Sequence, residues 1–426
     1  MAAGRFLLFA SRVREGHITR VRAGSSVPHQ QWSVSCKAAC AAAPCDKVTE
    51  IQRKNQQIRA VLKKLPWPEL LCFEANGCVH DLPLRTRRRI PAAVLDAAND
   101  SRLRFLAGFF DGDGNVSCQS NLSGCYLQVS QSFNQAEILM LLRETFGGSI
   151  GLHSHGVGLQ KPALRWAIYG QSARQTACLL APHSITKQKQ LLLAGQWPDA
   201  KFGREDSKAK LRNLKHADSA VPGQCTWEYL AGFFDAEGNI AQRGGGVSLK
   251  LTISQKYPMV LQCIREFLSS RSEAIDACLR MRAQHEYVLV VERFPECKRL
   301  LQRMLAAGLL CKAKQAELAS GLRTDNAAQV HGELVRLTGN QRFGRSLDTA
   351  DHERAQALRS LRRQARCLMR RGELHESKTK LPEIEAAQRE HELCNALREN
   401  AQLLQYVQDI QNLHEISWVG PRTPSM

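Results

Sequence analysis

An internal repeat constrains the fold of this chain more than any other feature of its sequence. The segment Leu106–Asp111 reads Leu-Ala-Gly-Phe-Phe-Asp, and the segment Leu230–Asp235 matches it at all six positions. Each copy is followed two residues later by an acid, Asp113 in the first copy and Glu237 in the second. Because internal repeats usually reflect a repeated structural unit, the chain is expected to contain two related halves.

The residues downstream of the two copies are also spaced alike. A glutamine follows each acid by 18 residues, and a lysine follows it by 74 residues in the first copy and by 75 in the second. The glutamines are Gln131 and Gln255, and the lysines are Lys187 and Lys312. Matching over this length indicates one fold used twice, which is more than a copied motif.

Each copy of the motif has the pattern of a helix that packs closely on another helix. Apolar residues recur at helical spacing from Leu103 onwards, and Thr226 is a good N-cap for the second copy. Gly108 and Gly232 stand inside these helices, where a glycine costs about 1 kcal/mol relative to alanine. Small residues on one helix face allow two backbones to approach closely. The sequence therefore predicts that the two motif helices pack on each other.

Acidic residues stand where the two predicted helices end. Asp111 and Asp113 close the first helix, and Asp235 and Glu237 close the second. A carboxylate at a helix C-terminus opposes the helix macrodipole by roughly 0.3–1 kcal/mol. If the helices pack together, Asp113 and Glu237 also repel each other unless one is protonated or a cation lies between them. A shared divalent-cation site resolves both conflicts, and carboxylate oxygens suit Mg²⁺.

Patterns of apolar residues after each motif predict the same order of elements in both halves. Alternation predicts strands, and spacing of three to four residues predicts helices. The predicted strands are 126–131, 165–169, 247–255 and 287–291, and the predicted helices are 136–146 and 258–268. Each half therefore reads as a helix, a hairpin, a helix, a second hairpin and further helix.

The chain divides into five segments. They are an N-terminal extension (1–98), a first half (99–200), a polar linker (201–223), a second half (224–324) and a charged helical extension (325–426). The last segment contains an arginine-rich stretch, Arg354–Arg371. A helical hairpin in solvent and a protein-interaction module both fit this segment.

The charge balance of the chain favours a polyanionic partner. The formal net charge is +19, with a pI near 9.5, which suits DNA, RNA or an anionic membrane surface. There is no apolar run of the roughly 18 residues that a transmembrane helix needs, so no membrane span is expected. The 15 cysteines are scattered, which is typical of reduced thiols inside a cell. Cys36, Cys40 and Cys45 lie closest together, but no second ligand pair for zinc follows them.

The N-terminus is rich in arginine and poor in acids. Arg5, Arg12 and Arg14 lie within the first 14 residues, and Glu15 is the one acid before Val27. This composition fits an organelle transit peptide, which would direct the chain to a mitochondrion or plastid. A disordered basic tail fits it equally well, and a nuclear location then stays open.

At the residues of its repeated motif the sequence resembles the LAGLIDADG homing endonucleases. The resemblance covers about Ser101–Arg323, roughly half the chain. It implies an α+β fold of two pseudo-symmetric αββαββα halves packed through their motif helices, with helical extensions outside them. It also implies a monomeric, site-specific endonuclease that cuts double-stranded DNA with Mg²⁺.

The resemblance also implies roles for individual residues. Asp113 and Glu237 would be catalytic and bind the metal, whereas Asp111 and Asp235 would be structural. The two glutamines, Gln131 and Gln255, would orient water, and the two lysines, Lys187 and Lys312, would stabilise the phosphate or poise water. The residues expected to contact DNA are Ser117, Gln119, Asn121 and Gln128 in the first half and Arg243, Lys250 and Thr252 in the second.

Two other functions stay open on the same fold. Lys256 follows Gln255 where Ser132 follows Gln131, so the halves are not chemically equivalent and an asymmetric target is expected. A maturase that binds intron RNA would use the same scaffold, and basic segments suit RNA as well as DNA. A non-cleaving DNA-binding regulator is the second alternative, although loss of an acid would have favoured it and neither acid is lost.

Overall fold

The computed structural model describes residues 44–85, 100–118, 124–223, 225–242, 246–270, 274–283, 286–338 and 349–418. Several sequence predictions lie outside these residues. They are the targeting segment, the side chains of Cys36, Cys40 and Cys45, and the DNA-contact residues Gln119, Asn121 and Arg243. Among the described helices, none combines the length and apolar character that crossing a bilayer requires.

The described elements follow one another in this order. The N-terminal part contains α1 (Pro44–Leu62), β1 (Cys72–Ala75) and β2 (Cys78–Asp81). The first half contains α2 (Asp100–Asp113), β3 (Gly114–Cys118), β4 (Cys125–Ser132), α3 (Glu137–Phe146), β5 (Ser149–Ser154), β6 (Ala163–Tyr169), α4 (Gly170–Leu180), a 3₁₀ turn (Ala181–His183) and α5 (Gln188–Gly195). The linker forms α6 (Lys201–His216).

The second half repeats the order of the first. It contains α7 (Trp227–Glu237), β7 (Gly238–Gln242), β8 (Leu249–Gln255), α8 (Met259–Ser269), β9 (Cys278–Ala283), β10 (Glu286–Val291), α9 (Phe294–Ala306) and α10 (Ala313–Ser320). The remaining helices are α11 (Ala327–Leu337), α12 (Thr349–Arg370), α13 (Leu374–Thr379) and α14 (Leu381–Trp418). The predicted elements are confirmed, with boundaries that differ by a few residues at most.

The described residues belong to two compact units. The larger comprises Cys72–Ser154 and Ala163–Leu334, and it contains both halves. The smaller comprises the described parts of Met1–Leu71 and Val335–Met426 together with His155–Pro162, the connection between β5 and β6. The chain therefore passes from one unit to the other four times.

Each half is built on a four-stranded antiparallel sheet. The strand orders are β3-β4-β6-β5 in the first half and β7-β8-β10-β9 in the second, so the two topologies are the same. One face of each sheet is apolar and buried. Val116, Leu127 and Val129 line it in the first half, and Ile240 and Leu251 line it in the second. The α+β class is therefore confirmed, with two sheets of equal topology.

The two motif helices, α2 and α7, pack on each other at their glycines. A Cβ atom at Gly108 would overlap the backbone carbonyl of Tyr229, and one at Gly232 would overlap that of Phe105. Ala107 and Ala231 beside them are fully buried. The close approach that the small residues predicted is confirmed, and these positions exclude any side chain because the obstacle is backbone.

The smaller unit is mainly helical. Asn55 on α1 donates a hydrogen bond to the carbonyl of Ala396 on α14, and Arg59 forms an ion pair with Glu399. Leu358, Ala365 and Ile384 form an apolar contact between α12 and α14. Asp351 is buried and forms ion pairs with Arg354 and Arg398.

We expect Gly108→Ala to destabilise the protein by about 1–3 kcal/mol, because the added methyl group must displace backbone at the helix contact. Gly332→Ala is the matched control. Gly332 also lies inside a helix, but a Cβ there meets open space, so the control should be neutral or stabilising. Urea denaturation of both variants measures the difference, and equal stability of the two would contradict the packing.

Candidate active site

The two predicted acids stand where each motif helix changes directly into a strand. Asp113 ends α2 and Gly114 begins β3, and Glu237 ends α7 and Gly238 begins β7. A Cβ at either glycine would overlap the ring of the phenylalanine four residues earlier. The glycines therefore permit an abrupt change of direction, and each acid is held at the end of a rigid element.

The packing of the helices brings the two acids into each other's electrostatic field. A Cβ at Gly112 would overlap that of Ala236 and lie 3.1 Å from Cγ of Glu237. Burial raises the pKa of Glu237, and the charge of Asp113 raises it further. Burial also raises the pKa of Asp113, although part of its side chain is exposed to solvent. Both carboxylates are thus harder to ionise than in water, although Lys187 and Lys312 lower the pKa of each.

The predicted glutamines lie beside the acids. Nε2 of Gln131 donates a hydrogen bond to Oδ2 of Asp113 at 2.5 Å. Gln255 hydrogen bonds to Glu237 and partly offsets the rise in its pKa. The matched spacing of 18 residues thus has a structural cause, because the second strand of each sheet returns past the start of the first. Orientation of water by the glutamines stays a prediction.

The predicted lysines cap the ends of the motif helices. Nζ of Lys187 donates to the carbonyls of Phe110, Asp111 and Gly112 at 2.8, 2.7 and 2.8 Å. Lys312 donates in the same way to the carbonyls of Asp235 and Ala236. A cation here compensates the negative end of the helix macrodipole.

The capping contacts use the whole hydrogen-bonding capacity of Lys187. Burial lowers the pKa of Lys187 to about 8, although Asp111, Asp113 and Glu237 act in the opposite direction. An ammonium group has three N–H donors, and in Lys187 all three point to carbonyls. A contact of Lys187 with a phosphate stays a prediction, and it would require one of these hydrogen bonds to be released.

The first aspartate of each motif, Asp111 or Asp235, binds a loop of its own half through hydrogen bonds to backbone N–H groups. Asp111 accepts hydrogen bonds from the hydroxyl of Ser184 and from the backbone N–H groups of residues 185, 186 and 187 at 2.7, 2.8 and 2.9 Å. Asp235 accepts the backbone N–H groups of residues 310, 311 and 312 at 2.6, 3.0 and 2.8 Å. Each aspartate thereby fixes the loop that delivers the capping lysine.

Tyr229 is a site residue that the sequence analysis did not identify. Its hydroxyl donates to Oδ2 of Asp111 at 2.7 Å, across the contact between the motif helices. Burial, with the nearby charge of Asp111, raises the pKa of Tyr229 well above its usual value, so the hydroxyl keeps its proton. The signal was present in the repeat, because Phe105 occupies the equivalent position in the first copy and has no hydroxyl.

The sheet face opposite the buried one carries the described residues that were expected to contact DNA. Ser117 is paired with Tyr126 and Gln128 with Asn115, which puts all four on this face in the first half. Oε1 of Gln128 is shielded from solvent and has no hydrogen-bond partner within the described part of the chain. DNA contact by these residues stays a prediction, and their common face is consistent with it.

The second half presents the equivalent face differently. Lys250 and Thr252 lie on it, paired with Ala241 and Asn239. Lys250 forms an ion pair with Glu292 at 3.3 Å. The two outer faces therefore carry different polar groups.

The linker also reaches this region, which the sequence did not indicate. Nζ of Lys215, in the last turn of α6, donates to Oδ1 of Asn115 at 2.7 Å. The hydroxyl of Tyr257 donates to the carbonyl of His216 at 2.7 Å. Lys215 lies close enough to Lys187 to lower the pKa of that lysine. Nothing in the linker's polar composition distinguished Lys215 from its neighbours.

The chemistry of the donors suits a hard divalent cation with incomplete protein ligation. In the described residues no group of three histidine, cysteine, aspartate or glutamate side chains could enclose a metal ion. Asp113 and Glu237 supply two carboxylates, and Mg²⁺ in proteins typically takes one or two carboxylates with water and phosphate oxygens. The site therefore fits a metal whose coordination is completed by a phosphate-bearing substrate.

Comparison with known proteins gives structural matches alone. No protein-family profile matches the chain, and no curated protein matches it. Solved structures that match include the LAGLIDADG meganuclease I-AabMI bound to uncleaved DNA, at 16% identity, 55% coverage of this chain, 96% of that chain and a TM-score of 0.40. They also include I-SmaMI, a LAGLIDADG homing endonuclease bound to cleaved DNA, at 14% identity, 57% and 98% coverage and a TM-score of 0.39.

We expect Asp111→Asn to destabilise the protein more than Asp235→Asn. The amide turns an acceptor into a donor that faces N–H and O–H groups, and disrupting a buried charged network costs about 3–5 kcal/mol. Asp111 holds Tyr229 and Ser184 in addition to three backbone amides, whereas Asp235 holds three backbone amides. Chemical denaturation measures the order, and an equal loss in both variants would contradict the asymmetry of the two networks.

Proposed function

We propose that this chain is a LAGLIDADG-type endonuclease that cuts both strands of duplex DNA with Mg²⁺. One observation carries the proposal. Two packed helices end in Asp113 and Glu237, and each acid is held by a matched glutamine beside a matched lysine. A single chain carries both halves, so one copy supplies the whole set.

The residues divide the work of a phosphodiester hydrolase between them. Asp113 and Glu237 would hold the metal, which supplies positive charge to the phosphate and makes bound water a better nucleophile. The glutamines fix the direction of the carboxylates, and the lysines fix the helix ends that carry them. Positive potential from the two partly buried lysines also favours the approach of a phosphate group.

The substrate that this site favours is an asymmetric duplex. The major groove admits a two-stranded β-ribbon, and the polar face of each sheet offers side chains of suitable length. Thr252 stands in the second half where Gln128 stands in the first, and Lys250 stands where Tyr126 does, so the two halves would read different bases. A non-palindromic target follows from that difference.

The decisive experiment is incubation with a random-site duplex library and Mg²⁺, followed by sequencing of the cut ends. Asp113→Asn and Glu237→Gln should each reduce double-strand cutting of the selected duplex by about a hundredfold or more, since one charged group at a reacting phosphate is worth that much. Both should still bind the duplex in Ca²⁺. Asp206→Asn, an exposed acid on α6 paired with Lys210, is the control and should cut normally.

Two outcomes would overturn the proposal. Full cutting by either acid variant would remove that acid from the site. Retention of a structured intron RNA at physiological salt, with no duplex retained and none cut, would instead support the maturase alternative.

A further inference from the structure

The helical unit presents a row of arginines along one side of α12. All are exposed, and they are Arg359, Arg362, Arg363, Arg366, Arg370 and, directly after the helix, Arg371. The stretch from Arg354 to Arg371 contains no acid. The opposite side of the helix packs through Leu358 and Ala365. We call these six residues the arginine row.

The arginine row is not neutralised by the part of the protein that the structure describes. Arg362 donates to the side-chain oxygen of Gln388, which carries no charge. Arg359 and Arg366 donate to carbonyls of their own helix. Within the described residues, none of the six forms an ion pair.

An unneutralised row of this kind opposes helix formation. Arg359 and Arg363 are four residues apart, as are Arg362 and Arg366, and like charges at that spacing repel on a helix. A sequence that keeps such a local conflict commonly does so for a binding site. The partner must therefore supply a row of negative charges.

We propose that the arginine row binds the phosphate backbone of duplex DNA, independently of base sequence. Arg370 lies 11 residues after Arg359, about 16 Å along the helix, and a duplex strand carries a phosphate about every 3.4 Å along its axis. The row thus faces several phosphates, and the planar guanidinium group matches phosphate geometry. The helix contains no Phe, Tyr or Trp on which an unpaired base could stack, so a single strand is the poorer fit.

The test measures how binding of the full chain to a short duplex without the target site depends on salt. The row variant changes Arg359, Arg363, Arg366 and Arg370 to Gln. The control variant changes four other exposed basic residues of the same unit to Gln, and it removes the same net charge. Those residues are Arg53, Lys54, Lys63 and Lys64.

Each phosphate contact contributes about 0.9 to the slope of log K against log salt. The row variant should lose about three to four units of slope, and the control variant less than one. Equal losses in the two variants, or no loss in the row variant, would overturn the proposal. Loss of binding to structured RNA with an unchanged slope on DNA would also overturn it. Because cutting is not measured, the result does not depend on the proposed endonuclease activity.

A second, independent observation concerns the end of the linker helix. The last turn of α6 is fastened to both halves, by Lys215 to Asn115 and by His216 to Tyr257. Asn115 lies two residues after Asp113 and on the outer face of its sheet. The equivalent residue of the second half, Asn239, contacts Thr252 of its own sheet at 3.5 Å instead. Among the described residues, the linker thus places a cation against Asn115 of the first half, whereas Asn239 of the second half contacts its own sheet.

We infer that Lys215 binds the DNA phosphate nearest Asp113 and makes the two strand cuts unequal in rate. The hydrogen bond to Asn115 uses one of its three N–H donors and leaves the ammonium group on the outer face of the sheet. This inference rests on the proposed endonuclease function. It deepens that function by naming a contact from the linker that has no partner in the repeat.

The test follows nicked and linear products from a plasmid that carries the selected duplex. Lys215→Ala should slow one of the two strand cuts about tenfold, so that nicked product accumulates. Lys215→Arg should restore much of the rate, and Lys210→Ala on the same helix should leave both cuts unchanged. A wild-type chain that does not cut would refute the proposed function itself. A wild-type chain that cuts, with both cuts slowed equally by Lys215→Ala, would refute this inference alone.

Discussion

The approach of two helix backbones at Gly108 and Gly232 is the constraint on which the candidate site depends. No side chain fits between either glycine and the carbonyl opposite it, so the helices have one relative position that satisfies both contacts. That position brings the ends of the helices together. The distance between the acids is therefore set by backbone packing several residues away from them.

The same packing concentrates negative charge at the ends of the two motif helices, and neighbouring side chains compensate part of it. Two helix C-termini and two carboxylates gather partial and full negative charge in one place. Partly buried lysines compensate the helix ends, and Asp111 and Asp235 hold the loops from which those lysines extend. Asp113 and Glu237 are left with raised pKa values. A bound cation would compensate the negative charge that remains on these two carboxylates.

Much of this arrangement could be predicted from the sequence, because each motif occurs twice with matched downstream residues. A pattern that would be ambiguous in one copy becomes specific when it occurs in both. Thr226 caps α7 as predicted, accepting a hydrogen bond from the backbone of Tyr229. The glycine contact and the order of helices and hairpins along each half also followed from residue types and spacing. The contacts of Lys187 with three carbonyls could not be predicted, because they depend on how a distant loop folds back onto the helix. The position of Lys215 depended in the same way on a linker whose composition carries no signal.

The connection between β5 and β6 has a consequence for how this chain changes over evolution. His155–Pro162 folds with the helical unit, where Trp67 donates a hydrogen bond to the carbonyl of Gly158 at 2.7 Å. An appendage joined at one point can be exchanged between genes by a single recombination event. A unit assembled from three separated stretches cannot, since any one crossover would leave it incomplete. The helical unit and the first sheet are therefore expected to be inherited together, and shortening the chain from either end would leave the 155–162 loop without its neighbours.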